Sequence, residues 1–283
     1  MATGMTPNQP DADSDRLQRL NAEPSKLASP EILSREVEEG LRALERPVIG
    51  LFVSGLSAGL DLGFSLLLMA VMLTHAEGTL PAPIVKLLVA NMYAVGFIFV
   101  VLGRSELFTE QTTLAVLPVL SRRASVGALL RLWAVVYGAN LIGAAMFAWL
   151  ATSIGPLIGA IDPRAFGVIA HHLTDHTGIA ILMSGILAGW LMGLLSWLVA
   201  AGRDTISQIV LVWLITTAIG FAGLLHVVLG AVEVLAGAFS GQGVRPGDVG
   251  RFLLWATLGK ILGGAVFVAI VKYGHARPEA QAS

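Results

Sequence analysis

The chain has 283 residues, of which 55% are hydrophobic and only 13% are charged. A soluble globular domain carries about 25% charged residues, so this composition excludes a soluble protein and predicts an integral membrane protein. The formal net charge of −1 gives no support for nucleic-acid binding, and the lack of cysteine excludes disulfides, thiolate catalysis and cysteine-ligated metals.

A polar segment precedes the apolar part of the chain. Residues 1–28 are rich in Asp, Pro, Ser, Asn and Gln, and are predicted to form a disordered cytoplasmic tail. Residues 29–46 open with a Ser-Pro-Glu helix start and place Ile32, Leu33 and Val37 on one face. We interpret them as an amphipathic helix docked on the membrane domain or on a neighbouring subunit, with a partner-binding motif as the less favoured alternative.

Six apolar runs follow, each long enough to supply the roughly 20 residues that a helix needs to cross a bilayer. They extend over about Val48–Leu73, Pro83–Leu107 with an irregular continuation to Leu120, Leu129–Ile154, Gly178–Ala201, Ile206–Phe239 and Phe252–Val271. The sequence therefore predicts an all-α membrane protein, with a six-span domain over residues 47–273 and a cytoplasmic tail over residues 274–283. The segment with His171, His172 and His176 is interpreted as a loop.

Basic residues indicate the orientation. Arg122, Arg123 and Arg131 flank the connection between the second and third runs, and Lys272 and Arg277 follow the sixth. An excess of Lys and Arg marks the cytoplasmic side of a membrane protein. We therefore expect a multi-pass protein of the inner or plasma membrane with both termini in the cytoplasm.

Two of the apolar runs are interrupted. The second breaks at Gly103–Gln111, which contains Arg104 and Glu106, and the fifth breaks at Gly220–His226. Charge at membrane depth is costly and usually faces a cavity or protein groups on a solute path. A pair of broken helices in corresponding places of two halves is a sequence signal for a transport site.

An internal repeat places these breaks in corresponding halves. Three segments recur in the same order, with offsets that shorten from 130 to 120 residues: Ser54–Gly59 as Ser184–Gly189, Gly96–Phe97 as Gly220–Phe221, and Asn140–Phe147 as Lys260–Phe267. Since each unit has three spans, the second must be inverted relative to the first. The prediction is an inverted 3+3 repeat in which broken helices two and five oppose each other at mid-membrane.

The residues at the breaks favour passage of an anion. Broken helices expose backbone N–H groups that attract anions, Leu107 and Phe108 suit an apolar constriction, and Thr109 adds a hydroxyl. His226 could exchange a proton with a weak acid near neutral pH. A structural histidine and ordinary core packing of Leu107 and Phe108 are the alternatives.

Other acidic side chains in the apolar runs have a structural interpretation. We interpret Asp61 and Glu233 as side chains that pair with, or cap, groups inside the bundle.

Four segments together resemble the formate/nitrite transporter family. They are residues 103–109 (GRSELFT), 135–144 (VVYGANLIGA), 220–226 (GFAGLLH) and 259–264 (GKILGG), and the resemblance covers about residues 45–275. It implies an aquaporin-like fold, a homopentamer with one pore per subunit, and passage of formate or nitrite, with or without a proton.

The resemblance also implies roles for individual residues. Leu107, Phe108 and Thr109 correspond to the pore loop, with Phe221 added to the constriction; His226 corresponds to the central histidine and Lys260 to a sixth-span asparagine.

This chain also departs from the family pattern. His226 follows Phe221 at a longer interval, and the family's vestibule lysine is replaced near Leu173. Lys260 puts a cation inside the membrane, and Arg104 adds another nearby. Together with Glu106, they are the charged residues that we predict in the pore region.

The sequence thus predicts a channel or proton-coupled transporter for formate, nitrite or related monocarboxylates, with a small anion, the lipid bilayer and copies of the chain as partners. It predicts no enzyme activity, cofactor or metal, because the Gly-x-Ser-x-Gly motif at Gly55–Gly59 lies inside an apolar helix. The alternatives are a non-transporting membrane scaffold or sensor, and an aquaporin-type pore for neutral solutes, although the paired Asn-Pro-Ala signature is absent.

Overall fold

The computed structural model describes residues 27–202 and 204–282. Most of the predicted N-terminal tail, residues 1–26, lies outside the described residues. In chain order the helices are α1 (Ser29–Glu45), α2 (Val48–Ala76), α3 (Ala82–Gly103), α4 (Phe108–Leu114), α5 (Val116–Leu120), α6 (Val126–Leu157), α7 (Pro163–Thr174), α8 (Gly178–Ala201), α9 (Thr205–Ala222), α10 (Val227–Phe239), α11 (Pro246–Ile261), a π-helical segment (Leu262–Ile270) and α12 (Val271–Ala282).

Among the described residues, six helical stretches are long and apolar enough to cross a membrane. Five of them are α2, α3, α6, α8 and α9, and the sixth is the continuous stretch Pro246–Ala276. The short helices α4 and α10 continue the second and fifth spans beyond their breaks. The prediction of an all-α protein with six spans is therefore confirmed.

Two regions are more helical than the sequence analysis expected. The segment interpreted as a loop contains α7, whose start is fixed by Asp162, which accepts a hydrogen bond from Arg164 N–H at 2.9 Å, and by Pro163 at the first helical position. The apolar face of α7 buries Phe166 and Ile169 in the bundle. At the other end of the chain, α12 continues the last helix to Ala282.

The spans pack as two matching halves. In the first half α2 packs on α6, and in the second half α8 packs on α11. A Cβ atom added to Gly59 would lie 3.0 Å from Gly143 Cα, and one added to Gly189 would lie 3.0 Å from Gly263 Cα. Glycine at both crossings lets the helix backbones touch, as is common in membrane proteins. This correspondence is consistent with the inverted repeat.

The two breaks have the same backbone design. Each helix ends at a left-handed residue, Arg104 with φ of 54° in the first break and Gly223 with φ of 69° in the second. Three non-helical residues follow, and the chain re-enters a helix at Phe108 or at Val227. The second break is therefore shorter than the sequence suggested, because Gly220 and Phe221 still belong to α9.

The helix α1 lies on the side of the bundle that also carries α12, which it contacts. Its buried Glu36 accepts a hydrogen bond from Ser196 Oγ of α8 at 3.0 Å from each carboxylate oxygen. The helix α7 follows the third span and lies on the opposite side. These two sides are called the α1 side and the α7 side below.

Candidate functional site

The two breaks meet inside the bundle through one side-chain contact. Thr109, in the first turn of α4, and His226, the residue before α10, are both buried. Their Oγ1 and Nε2 atoms lie 3.1 Å apart. The structure thus brings together two residues that the sequence analysis selected 117 positions apart.

The first break is held by amide and hydroxyl side chains. Asn140 Nδ2 donates to the carbonyls of Gly55 at 2.7 Å and Glu106 at 3.0 Å, and its Oδ1 accepts from Phe108 N–H at 2.8 Å. Ser54 Oγ accepts from Glu106 N–H at 3.0 Å. Because helix breaks leave backbone groups without helical partners, these four bonds stabilise the loop in a buried environment.

The second break keeps the serine hydrogen bond of the first break and replaces the asparagine by a lysine. Ser184 Oγ accepts from Leu225 N–H at 2.9 Å, as Ser54 does in the first half. Lys260 takes the position that corresponds to Asn140, and its Nζ donates to Gly189 O at 3.4 Å. An ammonium group has no acceptor, so Lys260 cannot reproduce the bond from a backbone N–H that Asn140 accepts.

His226 completes the second break with its own ring. Its Nδ1 accepts from Leu229 N–H at 3.3 Å, which caps α10. A backbone N–H can only donate, so this bond assigns the hydrogen of the neutral ring to Nε2, which then donates to Thr109 Oγ1. The edge contact with Phe97, at 4.9 Å between ring centroids and 89° between planes, fixes the ring from the side of α3.

The predicted constriction residues divide into two groups. Leu107, Phe108 and Thr109 are all buried, but the ring of Phe108 packs against Tyr137 of α6, with 4.6 Å between centroids. The structure does not bring Phe221 to them. Phe221 is 45% exposed, and Lys86 Nζ lies 5.4 Å from its ring centroid.

Phe97 is the aromatic residue that contacts His226, and the sequence analysis did not select it. The signal was available, because Phe97 and Phe221 occupy matching positions in the repeat. Only Phe97 is turned inward, where it also stacks on Tyr93 at 5.3 Å between centroids.

The three predicted charged residues occupy different environments. Lys260 is 1% exposed and lies in the bundle, whereas Arg104 lies at the membrane-domain surface on the α1 side. Glu106 forms an ion pair with Arg46, at 3.0 Å between Nη1 and Oε1, and accepts from Gln111 Nε2 at 2.6 Å. Lys260 is thus the one of the three that places charge deep in the protein.

A cavity of about 1130 Å³ opens on the α1 side and reaches the first break. Its wall contains six glutamates and four arginines, so it is not the basic vestibule that an anion pathway suggests. Burial raises the pKa of the Glu36 carboxyl in this wall to about 8; the bond from Ser196 lowers that pKa, and the nearby Glu39 raises it.

A second cavity of about 480 Å³ lies on the α7 side and reaches the second break at Leu225. Its wall is mainly apolar and contains Tyr93, Leu173 and Glu233. His226 and Leu107 line neither cavity and are at most 2% exposed. The layer that contains Phe97, Leu107 and the Thr109–His226 pair therefore separates the two cavities.

The arrangement can position a proton and polar groups in an otherwise apolar barrier. The imidazole, the Thr109 hydroxyl and the buried ammonium of Lys260 come from three different helical segments. Within residues 27–202 and 204–282, no cluster of three or more His, Asp or Glu side chains has the geometry to hold a metal ion.

Comparisons with known proteins identify what the chain resembles. A family model described as "Formate/nitrite transporter" matches residues 30–274. The inner membrane protein YfdC of Escherichia coli K12 is 32% identical over 243 residues, which cover 85% of this chain and 76% of YfdC.

Two solved structures share the fold. One is titled "FNT family ion channel" and superposes with a TM-score of 0.76 over 86% of this chain and 98% of its own, at 23% identity. The other is titled "Pentameric formate channel with formate bound" and superposes with a TM-score of 0.70 over 81% of this chain and 97% of its own, also at 23% identity.

Proposed function

The chain belongs to the formate/nitrite transporter family, and from that premise we propose that it conducts small monovalent anions such as formate, nitrite or related monocarboxylates across the membrane. Each subunit has its own pathway, which runs from the α7-side cavity through the layer at His226 to the α1-side cavity. The matching family model and the fold shared with a formate-bound channel support this choice of substrate class.

One observation carries the proposal, namely the contact between Thr109 and His226. It joins the two breaks where the cavities approach each other, and it is the polar contact in a layer formed otherwise by Phe97 and Leu107. A charged solute loses much of its hydration free energy in such a layer. A proton that neutralises a weak-acid anion there removes most of this barrier.

The histidine is suited to a transient proton. A proton added to the neutral ring must go to Nδ1, which then gives up the bond from Leu229 N–H. Protonation therefore breaks the cap of α10, and the cap is restored when the ring returns to the neutral form that carries its hydrogen on Nε2. The proton is delivered by His226 or relayed beside it, and the anion crosses as the neutral acid.

Lys260 supplies positive charge to the same region. Its buried ammonium interacts electrostatically with His226 and with Glu110 of α4. A fixed cation stabilises an approaching anion before the anion is neutralised. In this proposal Lys260 attracts the anion, and Thr109 and His226 orient it.

We propose that five copies of the chain assemble, each with its own pathway, and that both termini lie in the cytoplasm of a cell with the protein in its inner membrane. The pentameric fold relative supports the assembly, and the name of YfdC supports the inner-membrane location. The basic residues Arg122, Arg123 and Arg131 support the orientation of the termini. Large apolar side chains such as Trp149, Ile49 and Leu157 are more than 60% exposed on one subunit, and lipid or neighbouring subunits would cover them.

Flux of formate in proteoliposomes tests the proposal. We expect formate flux to rise as the pH falls, and His226→Ala to reduce it about tenfold or more and to flatten its pH profile. His75→Ala is a matched control, because His75 is an exposed histidine that lines neither cavity. Flux that His226→Ala leaves unchanged would remove the histidine from the mechanism.

A non-transporting scaffold or sensor is the second candidate, and the buried layer between the cavities favours it. A protein that assembles correctly but moves neither formate, nitrite, acetate nor lactate would establish this alternative and exclude the transport proposal.

A further inference from the structure

The α7-side cavity contains a buried carboxyl group that the mechanism above does not use. Glu233 of α10 is 4% exposed and lines the cavity. The sequence analysis interpreted it as a pairing or capping residue. However, none of its neighbours in the described part of the chain forms a hydrogen bond or ion pair with its carboxyl group.

Tyr93 of α3 adds a second polar group without a partner. Its ring is 5% exposed and stacks on Phe97, while an added Cβ on Gly220 would lie 3.0 Å from Tyr93 Cγ, so the ring is held closely. Its hydroxyl is buried and has no hydrogen-bond partner among the residues that the structure describes. It also lines the cavity and interacts electrostatically with Glu233.

Two such groups on one cavity indicate a ligand. Buried polar groups in proteins are almost always hydrogen-bonded, and exceptions call for a bound partner. An unpaired carboxylate in a dry site is costly, whereas a neutral carboxyl and a phenol can each donate one hydrogen bond. Two O–H donors on the wall of one cavity match the two oxygens of a carboxylate.

The rest of the wall is chemically different. Apolar side chains, among them Met69, Val85 and Ile169, form most of it. The other titratable groups that line it are Glu77, Lys86 and His172, which are all exposed and stand at the mouth. The volume of about 480 Å³ is in the range of pockets that hold small organic ligands, and neither formate nor nitrite has an alkyl group for the apolar wall.

We propose that the α7-side cavity is a binding site for short aliphatic monocarboxylates, in which Glu233 and Tyr93 hold the carboxylate and the apolar wall holds the alkyl chain. This inference rests on the proposed function and narrows its substrate class to acids of about the size of propionate. Glu233 lies seven residues after His226 on the same helix, hence on the same face and about 10 Å away along the axis. The site therefore stands directly before the buried layer.

Calorimetric titration of the purified full-length protein with propionate and formate tests the site. We expect propionate to bind about tenfold more tightly than formate. Glu233→Met and Tyr93→Phe should each weaken propionate binding about tenfold, the loss of one hydrogen bond to a charged group. Glu233→Gln, which keeps a donor, should restore binding to within about threefold of the native protein. Asp175→Asn removes an exposed carboxylate outside the cavity and is the matched control.

Infrared difference spectra provide a readout that a purely structural role of Glu233 would not change. Propionate should shift the C=O band of a protonated carboxyl group, and Glu233→Gln should abolish that shift. Equal affinity for formate and propionate, or native affinity in Glu233→Met, would overturn the inference. Tight binding of propylammonium in place of propionate would also overturn it, in favour of a cation site.

The failure of this inference and that of the proposed function can be told apart. Formate flux without propionate binding would refute the site and leave the transport function intact. Propionate binding without flux of any monocarboxylate would support the site and refute transport.

Discussion

The first and second breaks share one backbone design and differ in the side chains that hold it. Asn140 gives the first break three hydrogen bonds with neutral partners, whereas Lys260 gives the second a buried charge and a single bond to Gly189. Leu107 precedes the first short helix, and His226 precedes the second. The duplicated fold thus has one break that neutral side chains hold by hydrogen bonds, and one break that carries the groups able to bind or move charge.

This difference indicates that the first break serves mainly the stability of the fold and the second break mainly transport. Asn140 and Ser54 hold the first loop by four hydrogen bonds, and neither side chain has a charge to exchange. A loop capped by an imidazole can change its bonding when a proton arrives. We therefore expect substitutions in the first break to reduce stability, and equivalent substitutions in the second to change transport.

Asn140→Ala should have the largest effect on stability. It leaves the Phe108 N–H and the Glu106 carbonyl without the partner that Asn140 supplies, at about 1–3 kcal/mol for each unsatisfied group, and it removes a second bond from the helical carbonyl of Gly55. Thermal unfolding of the solubilised protein should show a loss of several kcal/mol. The matched substitution Lys260→Ala removes one long hydrogen bond to Gly189. A loss of stability as large as that of Asn140→Ala would contradict the proposed difference between the two breaks.

Ser54→Ala and Ser184→Ala test the part of the design that the halves share. Each substitution removes the acceptor of one backbone N–H, that of Glu106 or Leu225. Both should destabilise the protein by about 1–2 kcal/mol, and by similar amounts. A large effect at only one serine would show that the two breaks are not equivalent in their backbone support.

The docking of helix α1 on the bundle should depend on pH. Burial in the docked state raises the pKa of the Glu36 carboxyl from 4.5 to about 8. Between these two pH values, Glu36 is therefore protonated when α1 is docked and ionised when α1 is undocked. The stabilisation of docked α1 by the neutral Glu36 carboxyl is present below pH 4.5, declines as the pH rises and is lost above about pH 8. The protection of the α1 amides, measured as exchange relative to the intrinsic rate at each pH, should fall over this range.

Glu36→Gln should keep the bond with Ser196 and remove this pH dependence. Glu38→Gln is the control, because Glu38 is exposed and pairs with Arg123 on the surface. An unchanged pH dependence in Glu36→Gln would assign it to another carboxyl group of the α1-side cavity.

The smallest expected effect concerns the left-handed residues. Gly223→Ala should cost about 1 kcal/mol, because a side chain disfavours a φ of 69° and the new Cβ would lie 3.1 Å from His172 Nε2. Arg104→Ala should change backbone strain very little, since Arg104 already adopts a φ of 54°. Equal losses in thermal unfolding would show that backbone strain is not the difference between them.

The spans, the repeat and the position of the breaks could be predicted from the sequence because they depend on local patterns. Long apolar runs, glycines four apart and charges inside apolar runs each reflect the bilayer directly. The helix α7 could also have been found from Asp162 and Pro163, which form a standard helix start. It was missed because its histidines suggested an exposed loop.

The orientation of individual side chains could not be predicted in this way. Phe97 and Phe221 each follow a glycine at matching positions in the repeat, yet only the helix packing decides that Phe97 contacts His226 and Phe221 lies at the surface. The same limit applies to Glu233, because a single acidic residue in an apolar run does not indicate whether the folded protein provides a hydrogen-bond or ion-pair partner for it.

The contact between Thr109 and His226 is central to this account, and a double-mutant cycle tests it most directly. Formate flux and its pH profile would be measured in proteoliposomes for the native protein, Thr109→Val, His226→Ala and the double variant. If the two side chains act as one unit, the double variant will behave like His226→Ala alone, with a coupling of about tenfold. If the two reductions in flux simply multiply, the two breaks do not act together and the account is contradicted.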